Sequence, residues 1–170
     1  MRALLPVAML LLAGCVGAPI GDPGTDIATP TGPCEVDGQP TPEPSAEVAP
    51  VDYPEAPSTL STQSVQSYVT EFENSYRHNH ALAEHGNVTY LETYVEDTSA
   101  TKHGDSYVVH LSSYTNGGTM ESEGEGTPIQ IHWDGAPEPV TYLVTDDRVL
   151  RGEGDRSPAE LRNASTVACR

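Results

Sequence analysis

Hydrophobic residues fall along this chain in blocks with different periods. Residues 3–12 are apolar apart from Pro6. Residues 16–58 have no sustained apolar period and bury too little surface to offset the entropy of ordering. From Leu60 the spacing becomes helical. Val65, Tyr68, Val69, Phe72, Tyr76 and Ala83 fall on one face of a helix predicted over 60–84. Ser61 suits the N-cap, Leu60 and Val65 fit a hydrophobic staple, and Gly86 suits the left-handed residue past the helix end.

From Asn87 onward the period changes to two. Residues 88–97 alternate, as do residues 106–115, where Tyr107, Val109 and Leu111 share a side. Thr101 to Asp105 reads as a hairpin loop, and Asn116-Gly117-Gly118 as a turn. Ile129 to Trp133 and Val140 to Thr145 are short strands, and Asp146-Asp147 turns into a further one at Arg148 to Arg151. The pattern predicts an α+β domain in which one N-terminal helix packs on a four- or five-stranded antiparallel meander. The element order looks like that of cystatin-like or nuclear-transport-factor-like folds, an analogy of order only. Expected boundaries are a targeting segment at 1–14, a linker at 15–58, the globular domain at 59–155 and a loose polar tail at 156–170.

Composition sharpens this picture. Ten of the 15 prolines lie between Pro19 and Pro57. They make 15–58 a semi-rigid, acidic spacer. The formal net charge is −17, with 25 acidic residues, and Lys102 is the only lysine. Such a surface repels phosphate backbones and anionic membranes, which excludes nucleic acid as a partner. At about 1 M salt the Debye length shrinks to about 3 Å and self-repulsion is screened. Acidity with almost no lysine resembles halophilic archaeal proteomes and implies work in brine; plain solubility at a cell surface is the alternative.

The first block is an address. Arg2, the apolar run and the small residues Ala13 and Gly14 before Cys15 have the layout of a secretory signal, too short to span a bilayer. Leu12-Ala13-Gly14-Cys15 resembles the lipobox of bacterial and archaeal lipoproteins. The resemblance implies cleavage before Cys15, lipid on its thiol, and a dialkyl-type anchor on the extracellular face of the cytoplasmic membrane. Many haloarchaeal lipoproteins carry twin arginines before the apolar run. Only Arg2 stands here, which favours the general secretory route or a start site placed too late.

An external setting bears on the rest. Cys34 and Cys169 are the cysteines left after Cys15, and outside the cell they read as a disulfide; two free thiols are the alternative. Asn87-Val88-Thr89 and Asn163-Ala164-Ser165 are glycosylation sequons.

Candidate chemistry is sparse. Tyr76 to His80 and Tyr142 to Val149 resemble segments of small haloarchaeal lipoproteins of unknown function, a family that brings no known activity. On the helix, Asn79 falls near the centre of the apolar stripe and His80 on its border. Asn79 then either ties the helix end to a strand backbone or joins Tyr76 and His80 in a small polar pocket. His78 and His80 are two residues apart and do not share a face. No spacing among His85, His103, His110 and His132 matches a zinc motif. No nucleophile elbow or phosphate-binding loop is present in the sequence, and no cofactor is implied. The expected function is a non-enzymatic envelope module, binding or structural, whose partner is the membrane through its lipid, together with envelope proteins or a small ligand. A ligand-binding or enzymatic pocket between helix and sheet, and a metal-handling role for the histidines, are the alternatives.

Overall fold

The computed structural model describes residues 32–42, 47–121 and 127–170. Helix α1 runs Thr62–Glu84 and starts as its sequence dictates. Ser61 is extended at φ −139°, and its hydroxyl accepts from the Ser64 amide at 3.1 Å. The Ser64 hydroxyl accepts from the Ser61 amide at 2.9 Å, which closes a capping box. The helix end departs from expectation. Asn87, at φ +54°, takes the left-handed conformation in place of Gly86. Asn tolerates that region through its short polar side chain.

Strands β1 (Val88–His103) and β2 (Ser106–Glu121) form a long antiparallel hairpin. Its turn tightens to Gly104-Asp105, with Gly104 at φ +59°. A register shift between Glu96 and Ser99, with Asp97 at φ +54°, bends β1 over the helix, where Gln66 Nε2 donates to Thr98 O at 2.6 Å. Strands β3 (Ile129–Asp134), β4 (Glu138–Val144), β5 (Arg148–Glu153) and β6 (Ser165–Cys169) complete the sheet. The order is β1-β2-β4-β5-β6, with β3 also on β2. One edge of β2 thus holds β4 along Tyr107 to Ser113 and β3 along Asn116 to Glu121. The α+β plan of one helix on an antiparallel sheet holds, with six strands rather than four or five.

Alternation decides the two faces. On the helix side, Val65, Val69 and Phe72 meet Val109, Val140, Tyr142, Val144 and Val149, all fully buried. Burying each such side chain stabilises by about 1.5–3 kcal/mol before entropy is counted. The far side holds a smaller cluster of Val108, Leu143, Leu150 and Leu161, the last brought by a short 3-10 helix at Glu160–Asn163. Ala83, expected on the apolar stripe, is exposed, and Ala81 and Leu82 are buried instead.

Several other expectations are corrected. Asn116-Gly117-Gly118 does not turn but continues β2. A Cβ at Gly117 would meet the Trp133 ring at 2.2 Å, and one at Gly118 the Tyr90 ring at 2.4 Å. These glycines serve close ring-on-backbone approach inside a strand. The tail expected to be loose at 156–170 folds as the 3-10 helix and β6. Thr166 and Val167 are buried there against β5.

The spacer expected at 15–58 does not stay free over its described part. Asp37 and Gly38 amides donate to Thr166 O, and the Thr166 amide donates to Asp37 Oδ1 at 2.7 Å, lining the outer edge of β6. The Tyr53 ring lies 5.0 Å from that of Phe72. Prolines remove backbone donors that would need partners. The remaining polar groups find side-chain partners on α1 and at the chain end, among them Ser75 donating to Asp52 O and Arg170 donating to Pro57 O. Cys34 and Cys169 are joined in a disulfide with Cα atoms 5.8 Å apart.

Candidate functional site

Glu73 lies one turn beyond Val69 on the buried face of α1 and is fully enclosed. Its carboxylate accepts five hydrogen bonds. Arg151 of β5 donates Nε to Oε2 and Nη2 to Oε1, both at 2.9 Å. Ser113 of β2 donates to Oε1 at 2.6 Å and Tyr142 of β4 to Oε2 at 2.5 Å. Arg77, one turn along the helix, donates Nε to Oε1 at 3.1 Å. Strand alternation places Ser113, Tyr142 and Arg151 on the helix side, so one carboxylate joins four elements.

Electrostatics follow from this geometry. Burial alone would raise the Glu73 carboxyl, but the Arg151 guanidinium and the Ser113 and Tyr142 hydroxyls outweigh it and hold the carboxyl below its ordinary value. Burial, and then the Glu73 charge, push the Tyr142 phenol well above its ordinary value. Arg151 would be lowered by burial, yet Glu73 holds it above its ordinary value. The Tyr76 ring covers this guanidinium at 3.9 Å from centroid to Cζ, a cation–π contact. Glu73, Tyr142 and Arg151 are all buried, and the cluster holds the helix on the sheet.

Arg77 carries the cluster outward. Its Nη1 lies 2.9 Å from the exposed Glu138 carboxylate, on the wall of a polar cleft of about 160 Å3. The cleft sits where α1 ends over β3 and the loop before β4. Arg77, His80, Glu84, His85, Trp133 and Glu138 are among its lining residues. His85 stacks on Trp133 at 4.3 Å, and His80 Nδ1 lies 3.3 Å from Glu84. Thr115, also at the cleft, has a buried hydroxyl without a partner among the described residues, as does Thr93 opposite it across the hairpin. Such a surface can hold a small polar molecule through donors and acceptors from several elements. The side chains lining it include no Ser-His or Cys-His pair for nucleophilic chemistry.

The residues expected to form one pocket are dispersed. Tyr76 stacks with His80 at 5.9 Å but spends its other contact on Arg151. Asn79 is buried and turned away, accepting from the Val51 amide at 3.0 Å and donating to Val51 O at 2.9 Å. It therefore ties the helix to the irregular segment that precedes it and not to a strand as expected. Only His80 of the three lines the cleft. Asn87 and Asn163 are both exposed. Cys15 and residues 1–14 lie outside the described residues.

Among the described residues no three His, Cys, Asp or Glu side chains converge as a metal site. His110 lies by Thr141 and Asp155, and His132 by Tyr90. Among the same residues no helix is long and apolar enough to cross a membrane.

Sequence reasoning missed the Glu73 cluster. One signal was available: Glu73 shares the helix face of Val65, Val69 and Tyr76. Compared with protein-family models, curated proteins and solved structures, the chain has no match.

Proposed function

We propose that this protein is a lipid-tethered module of the outer cell envelope, anchored through Cys15 and acting without catalysis as a binding or structural domain. The observation that carries the reading is the Cys34–Cys169 disulfide, which joins the two ends of the folded region. Such bonds persist in oxidising compartments, the setting implied by the lipobox-like residues 12–15. The acidic surface, with net charge −17, suits a module exposed to strong brine. The one helix lying across an antiparallel sheet is compatible with the cystatin-like or nuclear-transport-factor-like order inferred from sequence.

Tethering is tested by Cys15→Ser in the native host. The unaltered protein is expected to sediment with membranes and partition into detergent, and the variant to leave that fraction. Equal membrane retention of both proteins contradicts the anchor.

A second reading, binding of a small polar ligand, is favoured by the cleft between Arg77, His80, His85 and Trp133. It requires that ligand addition quench Trp133, the single tryptophan, and that His85→Ala abolish the quench.

A further inference from the structure

The second sequon and a groove on the far face of the sheet belong together. Asn163 ends the 3-10 helix, is exposed, and its amide makes no hydrogen bond within the described residues. Ser165, two residues on, is exposed, and its hydroxyl is also unbonded. Beside Asn163 lies a groove of about 360 Å3, lined by Gly152, Arg156, Glu160, Leu161, Asn163 and Ala164. Half-buried Ala164 gives it a small apolar patch, and Leu161 beneath is fully buried. Its polar rim keeps free valences. Among the described residues, Arg156 uses Nε on Glu153 O and leaves its two terminal nitrogens unbonded, and Glu160 uses Oε2 on Ser157 and leaves Oε1. A small apolar patch with a guanidinium and a carboxylate beside it suits a pyranose, which offers C–H groups and a ring of hydroxyls.

The first sequon differs. Asn87 is exposed, but Val88 behind it is 1% exposed, and the Thr89 hydroxyl donates to Gly118 O at 3.1 Å inside the β1–β2 ladder. Presenting the 87–89 segment to an enzyme requires opening that ladder. Asn163 stands before the ladder, and although Ser165 opens β6 opposite Arg151, its hydroxyl has no bond of its own to break among the described residues.

We infer that Asn163 is a glycan attachment site whose first sugar lies in the adjoining groove, and that Asn87 stays unmodified. The inference rests on the external location proposed above. In the transfer, the Asn163 amide nitrogen forms a bond to C1 of an oligosaccharide carried on a polyprenyl phosphate. The C1–O bond to phosphate breaks, its electron pair leaves with the phosphate, and the amide proton passes to a base of the transferase. The Ser165 hydroxyl positions the amide in the transferase.

The test is peptide mass analysis of the full-length protein purified from its native host, alongside Asn163→Gln, Ser165→Ala and Asn87→Gln. The peptide containing Asn163 is expected to carry hexose-series mass in the unaltered protein and in Asn87→Gln, and to lose it in both other variants. The peptide containing Asn87 is expected bare throughout. A bare Asn163 peptide in membrane-anchored protein overturns the inference and leaves the tether intact. Sugar on Asn87, or sugar retained in Asn163→Gln, overturns it as well. Sugar on Asn163 in protein that lacks lipid sinks the tether and leaves the glycan site standing. Once the site is occupied, the groove should protect its sugar: removal by endoglycosidase is expected to be several-fold slower on folded than on denatured protein.

Discussion

Glu73 concentrates the polar energetics of the domain in one side chain. Its five hydrogen bonds replace the water it loses, and Arg151 balances its charge. Glu73→Gln leaves Arg151 buried without its counter-charge. It is expected to cost about 3–5 kcal/mol in urea unfolding. The pH dependence carries a second signature. The folded Glu73 carboxyl lies below its ordinary value of 4.5. The stability it supplies is therefore complete above about pH 4.5 and is lost as pH falls through the lower, folded value. Asp147 and Glu160 shift in the same direction and add to the slope. Glu73→Gln should show a flatter acid limb than the parent; parallel limbs would contradict the assignment. This centre was hard to read in sequence for a physical reason. A glutamate on a helix is ordinarily solvated, and only the fold brings Tyr142 and Arg151, 69 and 78 residues away, onto its oxygens. Asn79 was legible because a single amide on an apolar stripe must find partners, and it finds them on Val51.

At the scale of elements, local rules fixed what local physics controls. The helix begins at its serine cap because the Ser61 and Ser64 hydroxyls satisfy the amides that the first turn leaves free. The strands alternate as their side chains do. The glycine pair in β2 shows where that reading stops. Asn-Gly-Gly has the chemistry of a turn, but Trp133 and Tyr90, contributed by other strands, need bare backbone to lie on. Gly117→Ala is accordingly expected to destabilise by about 1–3 kcal/mol through overpacking and to red-shift Trp133 emission as β3 lifts from β2. Unchanged emission and unchanged stability would contradict this account of the hairpin. Strand β6 was missed because five residues with polar neighbours carry little periodic signal. Its place depends on the β5 edge and on residues 37–38 from the far end of the chain.

For the whole molecule, charge and closure oppose each other. The chain's 25 acidic side chains outnumber its 8 lysines and arginines and repel one another. The disulfide closes a separation of 135 residues, for which loop entropy gives on the order of 5 kcal/mol against the unfolded chain. Screening should reveal the repulsion. The thermal midpoint is expected to rise steadily as sodium chloride goes from about 0.1 to about 1 M, where the Debye length drops from about 10 to about 3 Å. A midpoint indifferent to salt would contradict the brine reading. The tether itself is decided by one number, the intact mass of the protein extracted from its native membrane. Attachment through Cys15 requires a chain that begins at residue 15 and carries a lipid increment mapping to that residue, beyond any sugar on Asn163. The mass of residues 1–170 with no addition, or of 15–170 bare, would contradict it.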